Sequence, residues 1–242
     1  MKKKTRWPIY LIIGLMITFI AFTVPLPYYI EVPGTSEDIR KVLQVNNQSD
    51  QEEGSYQFVT VGVKHARMVD LVYAWLTPFT DIRSAKEMTG GSSDAEFMRI
   101  NQFYMETSQN MAKYQGLKAA GKEIELKYLG VYVLTVTDNS TFKGILNIAD
   151  TVTAVNDKTF ESSKEMVDYV NSQTLGDKVK VTYQEDGKVK TAEGKIITLE
   201  NGKNGIGIGL IDRTEVSSDV PIKFSTAGIG GPSAGMMFSL SI

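Results

Sequence analysis

The sequence predicts an α+β fold that follows one apolar N-terminal helix. No residue from Trp7 to Ile30 is charged, and residues 93–121 place apolar side chains at mainly helical spacing. Residues 124–199 combine several short β-type runs with one short helix. At 242 residues, 42% hydrophobic and 22% charged, the chain can bury the cores of one or two ordinary domains.

The N-terminal segment predicts a membrane anchor. Lys2 to Arg6 form a basic cluster, and the apolar stretch between Pro8 and Pro25 can just cross a hydrocarbon core as a helix with its flanks, at about 1.5 Å per residue. The positive-inside rule places residues 1–6 in the cytoplasm and everything after Pro27 outside the cell membrane. A signal peptide cleaved near Ala21-Phe22-Thr23 is the alternative, but the apolar stretch is longer than a usual signal-peptide core.

Composition excludes several classes of function. The net charge of −2 offers no surplus of basic residues for a nucleic-acid partner. The chain has no cysteine and a single histidine, which excludes disulfides and cysteine-ligated metal sites. We therefore expect no metal and no cofactor.

Residues 28–123 predict a mixed α/β region. Tyr56 to Lys64 is rich in β-branched and aromatic residues and predicts a strand. Ser93-Asp94-Ala95-Glu96 has the pattern of a capping box and predicts a long helix that ends at Gly121. The apolar stripe of this helix is typical of a core face. His65 follows the strand with no second metal-binding side chain beside it, so an ordinary surface role is expected.

Residues 124–199 predict strands joined by short turns. Asp186-Gly187 suits a tight hairpin, and Ser162-Ser163-Lys164-Glu165 predicts the start of a helix that continues through Val170. This order of elements resembles a bacterial, circularly permuted PDZ domain, with Tyr128-Leu129-Gly130-Val131 at the place of the carboxylate-binding loop.

The resemblance implies a peptide-binding site. Backbone amides around Leu129, Gly130 and Val131 would hold a peptide carboxylate, and the strand from Val131 would pair with the peptide. The apolar groove would be lined by Val133, Met166, Val167 and Val170. As an alternative, each of these apolar residues is simply part of the core of a small β-rich domain.

The C-terminal segment contains a candidate nucleophile. Gly228-Ile229-Gly230-Gly231-Pro232-Ser233-Ala234-Gly235 places Ser233 among glycines, which let backbone amides approach a reacting carbonyl. A helix starting at Pro232 or Ser233 would direct its free N–H groups to the same place. The alternative for Ser233 is an ordinary helix N-cap. In α/β-hydrolases the acid and histidine follow the serine, whereas His65 precedes it.

Val220 to Gly235 resembles the strand, loop and nucleophile of Lon-type serine proteases, and most closely the membrane-anchored Lon-like proteases that carry a PDZ domain. The resemblance implies that Ser233 is the nucleophile of a Ser/Lys dyad, that Gly230, Gly231 and Ala234 form the oxyanion loop, and that the lysine lies beyond Ile242. Lys223 alternates with apolar Ile222 and Phe224, which indicates a solvated strand residue rather than a base.

Together these features predict five segments. They are a cytoplasmic tail at 1–6, a transmembrane signal anchor at 7–27, an extracytoplasmic α/β region at 28–123, a PDZ domain at 124–199 and the N-terminal part of a Lon-like proteolytic domain at 200–242. Ile206 to Asp212 and Val220 to Phe224 are predicted as the first strands of that last domain. Gly207-Ile208-Gly209-Leu210 lacks the third glycine and the βαβ context of a dinucleotide-binding loop.

The leading hypothesis is a single-pass, extracytoplasmic serine endopeptidase that acts on peptides or unfolded proteins, including secreted peptide signals. The 242-residue form is expected to be nearly inactive alone, since an unassisted hydroxyl is a poor nucleophile at neutral pH. The alternative is a membrane-tethered PDZ module that binds peptides without cleaving them. Membrane lipid is the expected partner of the N-terminal helix, and self-association is implied only by the resemblance.

Overall fold

The computed structural model describes residues 7–242, so the basic cluster at Lys2 to Arg6 lies outside the described residues. Its helices and strands are, in chain order, α1 (Trp7–Thr23), β1 (Pro25–Asp38), β2 (Leu43–Val45), β3 (Gln57–Arg67), α2 (Met68–Leu76), β4 (Asp81–Ser84), α3 (Ala85–Thr89), α4 (Asp94–Ala119), β5 (Glu125–Val136), β6 (Thr151–Val155), α5 (Ser163–Asn171), β7 (Lys178–Glu185), β8 (Lys188–Lys195), β9 (Ile197–Thr198), β10 (Asn204–Gly205), β11 (Ile208–Ser217), β12 (Ile222–Phe224) and α6 (Gly235–Ser241).

The chain divides into two compact units. The first unit joins Met1–Glu37, described from Trp7 onward, with Val59–Ser93, and the second unit joins Asp38–Phe58 with Asp94–Ile242. The first unit contains α1, α2, α3 and most of a three-stranded sheet in the order β3-β1-β4. Helix α1 is 17 residues long, and none of the helices in the described part of the chain has the length and hydropathy of a membrane-spanning helix.

A five-stranded sheet dominates the second unit, in the order β11-β5-β6-β7-β8. All of its neighbouring strands are antiparallel. Strand β11 was predicted to open a following domain. It instead pairs along the whole of β5, from Ile208 opposite Val136 to Ser217 opposite Glu125, and completes this sheet as an edge strand.

Strand β12 forms a separate pair with β2, in which Phe224 lies opposite Leu43 and Ile222 lies opposite Val45. The second unit therefore draws residues from the predicted 28–123 region into contact with the C-terminal segment. Local sequence patterns do not reveal the pairing of β12 with β2, because the paired residues are more than 170 positions apart.

The second unit has two apolar cores, and α4 contributes to the smaller one. The larger core lies on the five-stranded sheet and is covered by α5; its members include Val131, Val133, Val152, Met166, Val170 and Val181. The smaller core gathers around Phe238 of α6 and includes Ile39, Leu43, Phe58, Met105, Ala112 and Ala234. The ring of Phe103 on α4 stacks on the ring of Tyr132 in β5, with centroids 3.7 Å apart.

Local signals in the sequence are confirmed where they were strongest. The hairpin between β7 and β8 turns at Asp186 and Gly187, which both have positive φ as a tight hairpin turn requires. Helix α4 ends in a Schellman motif, in which the Gly121 amide donates to the Lys118 carbonyl and the Lys122 amide donates to the Leu117 carbonyl. Helix α5 begins after Ser162, whose hydroxyl accepts a hydrogen bond from the Glu165 amide at 3.2 Å.

Candidate functional site

A groove lies between α5 and the start of β11. Its cavity has a volume of about 60 Å³, and its lining is mostly apolar. The lining residues are Met166, Val167, Val170, Asn171, Leu199, Gly205, Ile206, Gly207, Ile208 and Leu210. Because β11 is an edge strand, the outer backbone groups of its first residues face this groove without a neighbouring strand.

Helix α5 is held beside β11 at its N-terminus. The Asp212 carboxylate accepts a hydrogen bond from the Ser163 amide at 2.9 Å, so β11 supplies the negative charge that a helix N-terminus favours. Burial raises the pKa of the Tyr128 phenol, and the charges of Asp212 and Glu165 raise it further. The phenol therefore stays neutral at physiological pH, and Tyr128 packs against the larger core.

The segment that leads into β11, residues 204–207, contains β10, and the carbonyl groups of Ile206 and Gly207 at its end face the domain. We call it the groove loop. The Ile206 carbonyl accepts from the Ser140 hydroxyl at 2.6 Å, and the Gly207 carbonyl accepts from the Thr137 amide at 2.8 Å. In a trans peptide the N–H points opposite to the C=O, so the amides of Gly207 and Ile208 point away from the domain. Two outward amides beside an apolar cavity are suited to a carboxylate.

The structure corrects the predicted position of the carboxylate loop. Leu129, Gly130 and Val131 lie inside β5, where Gly130 is opposite Arg213 of β11 and Val131 is opposite Val152 of β6. A strand on each side leaves no edge for a peptide. Gly130 has a φ of 136°, and a Cβ there would collide with the Val152 carbonyl oxygen, so this glycine permits close strand packing.

The apolar residues predicted for the groove divide into two groups. Met166, Val167 and Val170 of α5 line the groove, and Met166 and Val170 are at the same time buried members of the larger core. Val133 is completely buried in the larger core, which is the alternative that the sequence left open. The groove loop and the first residues of β11 were not predicted to line this groove, although the repeated glycines of Gly205-Ile206-Gly207-Ile208-Gly209 were a usable signal.

Ser233 lies on a second glycine-rich loop, residues 226–234, which we call the serine loop. The Ser233 side chain is exposed. Helix α4 holds this loop at three points: the Asn101 carbonyl accepts from the Gly231 amide at 2.8 Å, the Ser108 hydroxyl donates to the Pro232 carbonyl at 2.8 Å, and the Gln109 amide group donates to the Thr226 hydroxyl at 2.7 Å. The position of Ser233 is therefore set by α4 as much as by the loop.

The helix after Ser233 starts later than predicted. Helix α6 begins at Gly235, with Ala234 in the N-cap position, so Ser233 is neither its first residue nor its N-cap. Ala234 is buried in the smaller core, and the amide of Gly231 already donates to Asn101. Gly230 is exposed, and a Cβ there would lie 2.8 Å from the Asn101 Cβ, so it allows α4 to approach the loop.

The two candidate bases have other roles in the structure. Lys223 is exposed on β12, as predicted, and its ammonium group donates to the Asn47 side-chain oxygen at 2.6 Å. Its neighbours Ile222 and Phe224 pack on the smaller core. His65 belongs to the first unit, where its ring stacks on Tyr29 with centroids 4.3 Å apart.

Comparisons with known proteins identify one domain. A family model described as a PDZ domain matches residues 102–196. The PDZ domain of an SdrC-like protein from Listeria monocytogenes is 35% identical in sequence; the match covers 36% of this chain and 93% of that one, with a TM-score of 0.34. The PDZ domain of an SdrC-like protein from Listeria innocua is 38% identical, with coverage of 34% and 92% and a TM-score of 0.32.

A third similar structure, from Geobacillus thermodenitrificans, is 30% identical, with coverage of 33% of this chain and 94% of that one and a TM-score of 0.30. No curated protein matches the chain.

Proposed function

Because the chain belongs to the PDZ family through a domain that includes residues 102–196, we propose that it binds peptides in the groove between α5 and β11. One observation carries this assignment: the edge formed by the first residues of β11 faces the apolar side of α5, beside a loop with outward-pointing amides. PDZ domains bind an extended peptide as an added strand, which requires a free edge of this kind.

The groove defines the class of peptide. An added strand would pair antiparallel to β11, so that its C-terminus reaches the groove loop and its carboxylate meets the amides of Gly207 and Ile208. The last side chain would then enter the cavity between Val167, Val170 and Ile206, which favours an apolar residue. We therefore expect peptides with a free carboxylate and an apolar last residue.

Peptide binding to the full chain in detergent tests this proposal. A fluorescent peptide that ends in valine should bind, and the same peptide with an amidated C-terminus should bind more weakly because it lacks the carboxylate. Val167→Asp should weaken binding at least about tenfold, since it introduces a charge into the apolar cavity. Val189→Asp is the matched control, because Val189 is 66% exposed on β8 and does not line the groove. Equal binding by the unchanged chain, the Val167→Asp variant and the Val189→Asp variant would refute the assigned groove.

A second candidate function is serine-type peptide cleavage at Ser233, with the PDZ groove presenting the substrate. Its support is the resemblance to Lon-like proteases and the exposed Ser233 on a loop that α4 holds in place. In this proposal a lysine outside residues 1–242 accepts the hydroxyl proton while Oγ attacks the peptide carbonyl. No cofactor is required.

Three proteins separate these candidates: the chain of 242 residues, the chain extended with a homologous lysine-containing segment, and the extended chain carrying Ser233→Ala. Peptide cleavage only by the second protein supports the Ser/Lys mechanism, with a loss of about 10³-fold or more in the third. Cleavage by the 242-residue chain that is lost on changing His65 or Lys223 would overturn it. Peptide binding without cleavage by any of the three would leave only the binding function.

We further propose that α1 anchors the protein in the cell membrane, with the remaining chain outside. All residues of α1 are uncharged, and the hydroxyls of Thr18 and Thr23 donate to the carbonyls of Gly14 and Phe19, so these polar groups are satisfied within the helix. Protease added to intact cells should digest the protein after Tyr28. A mature chain beginning near Val24 would instead support the cleaved signal peptide.

A further inference from the structure

Helix α2 has an unusual distribution of burial, because it exposes its apolar face. Met68, Val72 and Trp75 follow one another at spacings of four and three residues, which places them on one side of the helix, and Phe79 follows shortly after the helix ends at Leu76. Trp75 is 85% exposed and Phe79 is 89% exposed. Leu71 and Leu76 add to the same exposed surface, which we call the α2 face.

The polar side of α2 is turned inward. Asp70 is only 7% exposed, and its carboxylate accepts hydrogen bonds from the Lys64 ammonium at 2.8 Å and from the Arg67 amide at 2.9 Å. Burial raises the pKa of Asp70, but these bonds outweigh burial and hold the pKa below its usual range. At the other end, the Thr77 hydroxyl donates to the Tyr73 carbonyl at 2.7 Å. The only charged residue of α2 is therefore paired and lies away from the α2 face.

The first unit exposes further apolar surface besides the α2 face. Helices α1 and α2 are in contact within this unit. Val59, Val61 and Val63 are exposed on one side of β3, and Val61 lines a hollow of about 410 Å³ together with Phe79. An apolar surface of this kind in an aqueous environment normally marks a contact with a partner or a membrane.

We propose that the α2 face lies in the interfacial layer of the phospholipid bilayer beside α1. This inference rests on the membrane location proposed above. Three observations favour lipid: α2 is in contact with the apolar helix α1, the α2 face carries no charged side chain, and its most exposed residues include a tryptophan, which is enriched at membrane interfaces. The protein would then contact the bilayer at two places, and the second contact would fix the orientation of the first unit at the membrane.

The two tryptophans of the chain, Trp7 and Trp75, allow a direct test. Trp7→Phe leaves Trp75 as the only indole, and Trp75→Phe leaves Trp7 to report on α1. Each full-length variant is reconstituted into phosphatidylcholine–phosphatidylglycerol vesicles, with and without brominated phosphatidylcholine. We expect Trp75 emission to shift to shorter wavelength on reconstitution and to lose intensity with brominated lipid.

Every other outcome overturns the inference in an identifiable way. Quenching of Trp7 but not of Trp75 would leave α1 in the membrane and remove α2 from it. A shifted Trp75 emission that depends on protein concentration, and not on brominated lipid, would assign the α2 face to a second copy of the chain. Absence of quenching for both tryptophans would refute the membrane location together with the inference.

A pair of substitutions checks that the apolar side chains cause the contact. In the double variant Leu76→Ser/Phe79→Ser, brominated lipid should quench Trp75 less, while the quenching of Trp7 should stay unchanged. Val189→Ser is the matched control, because Val189 is also exposed but belongs to the second unit. Unchanged Trp75 quenching in the double variant would overturn the proposal.

Discussion

The groove loop and the serine loop are both rich in glycine, but they differ in how they are supported. A Cβ on Gly207 of the groove loop would lie 2.5 Å from the Thr137 hydroxyl oxygen and 2.8 Å from the Ser140 Cβ. A Cβ on Gly228 or Gly231 of the serine loop would meet no atom within 4 Å. The groove loop is thus packed against its own sheet at Gly207, whereas the serine loop is open at Gly228 and Gly231 and contacts α4 at Gly230.

This difference separates the site proposed for peptide binding from the site proposed for cleavage. The groove loop, α5 and β11 together supply amides, an apolar cavity and a free strand edge within one domain. The serine loop supplies an exposed hydroxyl, and no base contacts Ser233 in the hydrogen bonds of residues 7–242. A motif that is prominent in sequence therefore needs its surroundings before a chemical role can be assigned to it.

The largest expected effect is that of an alanine in the groove loop. Gly207→Ala should lower the free energy of unfolding by about 2–5 kcal/mol, because a positive φ of 75° disfavours a Cβ and the side chain would also be overpacked. Gly231→Ala is the matched change in the serine loop, where φ is 94° and the space is open, and should cost only about 1–2 kcal/mol. Urea unfolding measures both, and equal losses would contradict the proposed difference in packing.

A smaller effect is expected from the contact between α4 and the serine loop. Ser108→Ala removes the hydrogen bond to the Pro232 carbonyl and should cost about 0.5–1.5 kcal/mol. Amide hydrogen exchange should increase in residues 226–234 and stay unchanged in the groove loop. Ser239→Ala is the control, because its hydroxyl bonds only within α6, to the Gly235 carbonyl. Faster exchange in both loops would show that α4 does not act locally on the serine loop.

The smallest expected effect is a pH dependence of stability that arises in the first turn of α5. The Glu161 amide donates to the Glu165 carboxylate at 3.0 Å and, with Lys158 nearby, holds the pKa of Glu165 below its usual value of 4.5. A lowered pKa stabilises the folded state above pH 4.5, and this contribution is lost as the pH falls through the folded-state pKa. Thermal unfolding between pH 6 and 3 should show a smaller acid dependence for Glu165→Gln. An identical dependence in both proteins would contradict this role.

Predictions from sequence succeeded where a few adjacent residues determine the structure. The turn at Asp186-Gly187, the cap at Ser162 and the end of α4 at Gly121 each depend on local backbone preferences. The exposed position of Lys223 followed from simple alternation along β12. These features need no knowledge of distant partners.

Predictions failed where the partner strand decides the role of a segment. Alternation in β5 and β11 is the same whether a strand is central or at an edge, so the sequence could not show that Gly130 lies between two strands. The motif around Gly130 was therefore assigned to the carboxylate loop, and the glycines before β11 were assigned to another domain. Pairing of β5 with β11 across about 80 residues decides both points.

The stacking of Phe103 on Tyr132 and the edge position of β11 have a practical consequence for dissecting the molecule. A fragment limited to residues 124–199 would expose the Tyr132 ring and remove β11 from β5. The unpaired edge of β5 would then be prone to aggregation. A fragment that keeps the Tyr132 ring covered and β5 paired should instead extend from the start of α4 at Asp94 to the end of β11 at Ser217. A recombinant fragment that retains the groove therefore needs the start of α4 and the whole of β11, which lie outside the residues matched by the family model.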